Sequence, residues 1–181
     1  MKQVLLLLLA LLGGSFASYG QATPAATAPT LTLPTDSASG KILYEAVVQA
    51  PGVSQAELYR RAREWFVSNF KAYKEVVGVE DPVGGEIAGT YHSLLTKVLT
   101  TYEVWRTLKV YVKDGRYRYE LTDFGARDIK YDRQVYNINP KNPNNVRRFG
   151  LEVEKEAQHD ISSLATAMAS PTGTTAKGKN W

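Results

Sequence analysis

Apolar and polar residues alternate most regularly between Trp105 and Phe124, on either side of the pair Asp114-Gly115. An Asp-Gly pair flanked by alternating residues predicts a β-hairpin, because a type I′ turn needs positive φ at both central positions. This turn fixes which residues face each other across the two strands. A slip of one residue would exchange the two faces, so the alternation specifies the register as well.

The predicted register gives the hairpin one apolar face and one polar face. The apolar pairs are Leu108–Leu121, Val110–Tyr119 and Val112–Tyr117. The polar pairs are Thr107–Thr122, Lys109–Glu120, Tyr111–Arg118 and Lys113–Arg116, and the same register places Trp105 opposite Phe124. We expect the apolar face to lie under helices and the polar face to be open to solvent.

A strand and a helix are predicted before the hairpin. Between Lys41 and Ala50, the even-numbered and the odd-numbered positions both include apolar residues. This pattern is typical of a strand in the interior of a sheet. Ser54 and Glu57 have the spacing of a capping box, so a helix is predicted from about Gln55 to Tyr73. Its apolar stripe consists of Leu58, Ala62, Trp65, Phe66, Phe70 and Tyr73.

The remaining pattern predicts three more strands and a second helix. The strands are Glu75 to Glu80, Glu86 to Leu95, and one that starts at Thr100 or Thr101 and enters the hairpin. The Asn/Pro-dense residues 137–145 are predicted to form a loop, and helical spacing returns from Leu151. The order strand, helix, four strands, helix predicts an α+β domain with one antiparallel sheet and both helices on one face.

Both ends of the chain differ in composition from this domain. Lys2 precedes the apolar run Val4 to Leu12, and small residues follow that run. Residues 1–20 are therefore predicted to be a signal peptide. Cleavage could follow Ala17 or Gly20, and we prefer Gly20. A retained N-terminal anchor is the alternative. We therefore expect an exported protein, periplasmic or extracellular, with no transmembrane segment after removal of the signal peptide.

The domain organisation follows from the same composition. Residues 21–39 are rich in Ala, Thr, Pro and Ser and are predicted to be a flexible linker. A single α+β domain is predicted over residues 40–169, followed by a disordered tail over 170–181. Between Lys130 and Gly150, the sequence has five basic residues and one acid, which are Lys130, Arg133, Lys141, Arg147, Arg148 and Asp132.

Three stretches resemble a family of exported bacterial domains of unknown function with a TATA-binding-protein-like (TBP-like) fold. They are Ile42-Leu-Tyr-Glu in the first strand, Glu57-Leu-Tyr-Arg-Arg-Ala-Arg-Glu-Trp-Phe in the first helix, and Val112-Lys-Asp-Gly-Arg-Tyr-Arg-Tyr in the hairpin. The resemblance covers about Ser39 to Asp128, and that span is the best-matched part of the domain. The resemblance implies a TBP-like β-α-β4-α fold. It implies no activity, because proteins that share a fold can have unrelated functions.

Catalysis and metal binding find little support in the sequence. The 181 residues contain no cysteine and two histidines, His92 and His159, and neither histidine has a nucleophile-elbow serine near it. No catalytic residue, metal site or cofactor is predicted, and both histidines are interpreted as surface or structural residues. An enzyme that acts on an envelope polymer or a small ligand stays as an alternative.

Binding is the function class that the sequence favours. The polar face of the hairpin carries aromatic and basic residues together, and the candidate binding residues are Trp105, Lys109, Tyr111, Arg116, Arg118 and Phe124. We expect a non-enzymatic binding or assembly module of the cell envelope, whose partner is a protein or a glycan. Alternatively, the C-terminal segment or a second copy of the chain covers this face. Nucleic acid is not expected, because the net charge is only +4 and the protein is predicted to be exported.

Overall fold

The computed structural model describes residues 31–131 and 135–170. The predicted signal peptide (1–20), the first part of the predicted linker (21–30) and the predicted tail from residue 171 lie outside these residues.

An antiparallel sheet with helices packed on one face forms the domain, as the sequence predicts. The described residues form six strands, in the spatial order β1-β5-β4-β3-β2 with β6 also paired to β5. In chain order the elements are β1 (Tyr44–Gln49), α1 (Gln55–Asn69), α2 (Tyr73–Val76), β2 (Val77–Asp81), β3 (Glu86–Lys97), β4 (Thr100–Lys113), β5 (Arg116–Asp128), β6 (Val135–Asn137) and α3 (Pro143–Ala169).

The predicted hairpin is β4 and β5, and its register is confirmed from Thr107–Thr122 through Lys113–Arg116. The turn itself differs from type I′. Gly115 has φ +73°, whereas Asp114 is not among the described residues with positive φ. Tertiary contacts account for the difference, because the Asp114 carboxylate accepts a hydrogen bond of 2.7 Å from the Gln55 amide and the Gly115 amide donates to the Val53 carbonyl.

On the side of Thr107 away from the turn, a β-bulge shifts the strand pairing by one residue, and the predicted register is wrong there. Trp105 pairs with Gly125 instead of Phe124, so Asp123 and Phe124 of β5 face the single residue Arg106 of β4. The extra residue turns Phe124 to the helix-covered face, where it is 4% exposed and its ring packs edge-on against Tyr44. The prediction that Phe124 lies on the polar face is therefore wrong.

Two predictions at the start of the domain are also corrected. β1 was expected in the interior of the sheet, but it pairs only with β5 and lies at an edge, where Val47 is exposed. The predicted flexible linker extends too far, because Leu33 is only 3% exposed and Thr35 forms a β-bridge with Ile42. The apolar side chain of Leu33 buries against the core and orders this segment.

The helix boundaries follow from local capping. Ser54 caps α1 and accepts from the Glu57 amide, although the Glu57 carboxylate binds Arg60 and Arg61 and does not return to the cap. The predicted first helix is divided, with α1 ending at Asn69 and α2 following it. The second predicted helix is α3, and it begins at Pro143, inside the stretch that was expected to be a loop.

The early start of α3 has a specific cause. Asn142 accepts hydrogen bonds from the Asn144 and Asn145 amides, and Pro143 occupies the first helical turn, where its missing amide costs nothing. The same Asn and Pro residues that indicate a loop therefore form a helix N-terminus.

Side chains from α1, α3 and the inner face of the sheet form one core. Trp65 and Phe66 of α1 lie in contact with each other, and Trp65 packs edge-on against Tyr91 of β3. No helix among the described residues is long and apolar enough to cross a membrane.

Candidate binding surface on the open face of the sheet

The sheet face opposite α1 and α3 is called the open face here, and five of the six predicted binding residues lie on it. These are Trp105, Lys109 and Tyr111 of β4, and Arg116 and Arg118 of β5. They belong to the alternating positions that point away from the buried ladder Leu108, Val110 and Val112. Phe124 is the exception, because the bulge moves it into the core.

Tyr111 and its neighbours line a shallow groove of about 510 Å³ near the turn end of the hairpin. Tyr111 is half-buried, and the Arg118 guanidinium lies 5.7 Å from the centre of its ring. Burial, with the nearby Glu120 and Glu86 carboxylates, raises the pKa of Tyr111. The groove is lined by Val47, Tyr111, Lys113, Arg116, Tyr117, Arg118 and Glu120.

The charges in the groove are unevenly matched. Arg118 forms ion pairs with Glu120 and, at 3.4 Å, with Glu45. Lys113 and Arg116 face each other across the next row, and neither forms an ion pair within residues 31–131 and 135–170. The turn end of the groove therefore has unneutralised positive charge beside an aromatic ring.

A second cavity, of about 400 Å³, opens at the bulge and is called the notch. β1 and β6 both pair with β5, on either side of Asp123 and Phe124, and the notch lies between them. Its buried apolar lining comes from Ile42, Phe124 and Ile138. Its polar lining comes from Ser39, Lys41, Asp123, Asn137, Asn139 and Lys141.

Trp105 lines the notch because its indole lies directly over Gly125. A Cβ atom at position 125 would overlap the indole ring, so this close approach requires glycine. Asp123 has φ 53°, an uncommon conformation that Asp tolerates better than most residues, and its carboxylate is 2.8 Å from the Lys41 ammonium. That hydrogen bond raises the pKa of Lys41.

The groove and the notch lie along one strand. Trp105 and Tyr111 are six residues apart on β4 and on the same face, which corresponds to about 20 Å at the rise of an extended strand. Lys109 lies between them, and the hydroxyls of Thr107 and Thr90 are hydrogen-bonded at 2.9 Å beside Trp105. The open face thus presents two separated aromatic rings joined by a polar strip.

Neither histidine contributes to these cavities. His92 is exposed on the open face opposite Trp105, and His159 is exposed on α3. Neither lines the groove or the notch. In the part of the chain that the structure describes, no group of three acidic, histidine or cysteine side chains could hold a metal ion.

The sequence interpretation missed a buried ionic cluster on the opposite face of the sheet. Arg106 is 4% exposed, and its Nε donates to Asp160 Oδ2 at 2.5 Å. Glu156 accepts from the same guanidinium at 2.8 Å, and the Tyr91 hydroxyl donates to Asp160. The missed signal was the position of Arg106, because it falls in the apolar series Val104, Leu108, Val110. This cluster connects α3 to the sheet, and its members Arg106, Tyr91 and Asp160 are buried.

Residues 44–127 match the model of a domain of unknown function with a TBP-like fold, DUF4468. The predicted resemblance to a domain of unknown function with a TBP-like fold is confirmed. The matched span contains β1 to β5 without the last residue of β5, so the open face lies almost entirely within it. A comparison with curated proteins gave no match.

Two solved structures share the fold. A DUF4468 family protein from Bacteroides ovatus ATCC 8483 is 18% identical, with a TM-score of 0.63 over 78% of this chain and 94% of that chain. A TBP-like protein from Parabacteroides distasonis ATCC 8503 is 17% identical, with a TM-score of 0.53 over 74% of this chain and 96% of that chain. At these identities the similarity establishes a TBP-like α+β fold.

Proposed function

We propose that the chain is an exported, non-enzymatic binding module of the cell envelope, and that its open face binds an anionic glycan. The observation that carries this proposal is the pair of aromatic rings, Trp105 and Tyr111, on a sheet face that α1 and α3 leave uncovered. Core packing does not account for either ring, because both belong to the alternating set that points away from the core.

The chemistry of the open face suits sugars with acidic groups. A flat aromatic ring packs against the apolar face of a sugar ring, and cations beside it bind carboxylate or phosphate groups. Tyr111 has the unpaired Lys113 and Arg116 beside it, and Lys109 is on the path from Tyr111 to Trp105. A glycan chain lying along β4 would therefore meet a ring at each end and positive charge between.

The sizes of the two cavities favour a glycan over a folded protein partner. The groove of about 510 Å³ and the notch of about 400 Å³ fall within the usual range of small-ligand sites. A stable protein interface buries roughly 1,200–2,000 Å² in total and is usually centred on a continuous apolar patch. On the open face the aromatic rings are instead separated by threonines and charged side chains.

Retention on immobilised polysaccharides tests this function. We expect the protein to be retarded on polygalacturonate and to pass unretarded through neutral dextran. The double variant Trp105→Ala/Tyr111→Ala should lose most of the retention. Leu94→Ser, at an exposed position of β3 outside the groove and the notch, should keep it. Thermal melting of each variant separates loss of binding from loss of fold.

Two outcomes would contradict the proposal. Equal retention on poly-L-aspartate, which has the charge without sugar rings, would indicate an acidic polypeptide as the partner. Release of reducing ends from the polysaccharide by the protein, abolished in a variant of an open-face residue, would indicate an enzyme.

A further inference from the structure

The hairpin between β3 and β4 ends in two apolar residues that the fold does not use. Val98 is 96% exposed and Leu99 is 94% exposed. Val98 also has φ 53°, which is unfavourable for a β-branched residue because its Cβ crowds the backbone in the left-handed region. A strained, fully exposed Val-Leu turn contributes nothing to the core, so its side chains are available to something outside the fold.

Two more exposed apolar side chains lie at the same end of the sheet. The Ile129 amide donates to the Thr101 carbonyl at 3.0 Å, which places Ile129 beside the start of β4, two residues from Leu99. Ile129 and Tyr131 are both exposed, and they are the first and third residues after β5. Together, Val98, Leu99, Ile129 and Tyr131 are called the tip surface.

The tip surface is accompanied by positive charge. Lys97 precedes the turn, and its Nζ donates to the Arg148 carbonyl, which brings the second turn of α3 to this end. Arg147 and Arg148 are exposed on that turn. Tyr102 of β4 packs edge-on against Phe149 at 5.3 Å and fixes the same placement. Lys130 lies over the Tyr131 ring at 5.2 Å.

Among the described residues, the acids near the tip surface are already engaged. Asp128 is buried and accepts a hydrogen bond of 2.9 Å from the Lys130 amide. Glu103 pairs with Arg127, and Glu152 pairs with Lys155 at 3.7 Å. The cations Lys97, Lys130, Arg147 and Arg148 form no ion pair within residues 31–131 and 135–170. Lys97 and Arg147 donate hydrogen bonds to neutral oxygens, so the positive charge of all four stays unneutralised and can attract an anionic surface.

We propose that the tip surface docks the domain on an anionic lipid membrane. Val98 and Leu99 would enter the acyl boundary, Tyr131 would lie at the headgroup level, and the four cations would bind anionic headgroups. The positive charge around the apolar residues favours an anionic membrane over a neutral apolar partner, because a neutral partner would leave these cations without counter-charge. This inference does not depend on the glycan ligand, since it uses other residues.

The geometry lets both surfaces act at once. The tip lies at the first residue of β4, and Tyr111 lies eleven residues further along the strand, or about 36 Å at the strand rise. A domain docked through Val98 and Leu99 would therefore hold the groove well above the lipid surface.

Co-sedimentation with vesicles tests the proposal, using the chain from Gln21 to Trp181. Omitting the apolar leader removes its own affinity for lipid, and the described core, from Leu33 to Met168, is retained. We expect binding to vesicles of phosphatidylglycerol and phosphatidylcholine, and at least about tenfold weaker binding to phosphatidylcholine alone, as loss of several cation–headgroup contacts implies.

Three variants make the test specific. Val98→Ser/Leu99→Ser should weaken binding to the anionic vesicles by at least about tenfold, because both apolar side chains are lost from the acyl boundary. Lys130→Gln should weaken it several-fold. Leu94→Ser removes an exposed leucine of the open face and should change binding less than twofold.

Unchanged binding of the Val98→Ser/Leu99→Ser protein would overturn the proposal, and so would equal binding to both kinds of vesicle. If the parent chain fails to bind vesicles but a protein is crosslinked at position 98, the tip surface is a protein-docking site and the lipid proposal is wrong. Melting temperatures matched to the parent chain show that the variants are folded.

Discussion

The indole of Trp105 lies so closely over Gly125 that no side chain can be added at position 125 without displacing it. The two residues are a cross-strand pair, and the bulge at Asp123 brings them together. One glycine thus positions the aromatic ring that lines both the open face and the notch.

Gly125→Ala tests this relationship. The added methyl group must push the indole away, and we expect a loss of about 1–3 kcal/mol in unfolding free energy, the usual cost of overpacking. In a Trp105→Ala background the same change should cost much less, because the clash is gone. A double-mutant cycle from urea denaturation gives the coupling directly. Additive effects would show that the indole does not lie over Gly125.

The turn at Asp114-Gly115 makes a second prediction. Gly115→Val forces a β-branched residue to φ +73°, and we expect destabilisation of about 1–3 kcal/mol. Space is not the cause, since a Cβ at position 115 would meet no atom within 4 Å. Gly115→Asn is the matched control, because asparagine tolerates the left-handed region. Equal denaturant midpoints for the Val and Asn variants would contradict this explanation.

The buried pair of Arg106 and Asp160 should be costly to break. Asp160→Asn removes one of the two carboxylates that pair with the buried Arg106 guanidinium, and Glu156 remains as its partner. We therefore expect a loss of about 1–3 kcal/mol, typical of a buried group that loses one hydrogen-bond partner. His159→Ala, at the exposed neighbouring position of α3, should be close to neutral. Urea denaturation measures both. A loss below about 1 kcal/mol for Asp160→Asn, the level of a surface pair, would mean that the pair is solvated.

The free energy of unfolding at acidic pH depends in part on Glu57. Hydrogen bonds from Arg60 and Arg61 lower the pKa of Glu57 from 4.5 to about 2. Since the folded-state pKa is the lower one, this stabilisation is complete above pH 4.5 and is lost as the pH falls toward 2. Glu57→Gln should therefore melt below the parent protein at pH 7, and the two melting curves should converge near pH 2. A gap that is constant with pH would exclude the ionised carboxylate as its source.

Much of the fold could be predicted because local signals and burial agree. The alternation in β4 and β5 gave the register from Thr107 to Lys113, and the apolar stripe with Ser54 gave α1. The bulge could not be predicted from the same alternation. It depends on Asp123 adopting φ 53° and on the burial of Phe124 against Tyr44, a contact between distant parts of the sequence.

The candidate site was predictable to the same extent. Five of its residues follow from the period of two along β4 and β5, which assigns them to one face. The notch could not be foreseen, because it is formed where β1, β6 and the bulge meet, and no single segment shows it. Leu33 was misassigned for a similar reason. It lies in an Ala/Thr/Pro-rich segment that has no pattern of its own, and its burial comes from packing against the core.

The side-chain NMR signal of Trp105 tests the central claim, that the open face binds an anionic glycan. During titration with oligogalacturonate, the indole Nε1–H resonance of Trp105 should shift progressively, since this ring is part of the proposed site. The indole of Trp65 serves as the internal control, because it is buried and donates to Ser163 Oγ at 2.7 Å. A shift of the Trp105 signal with a stationary Trp65 signal is the predicted result. A saturating titration that leaves the Trp105 signal in place would contradict the account.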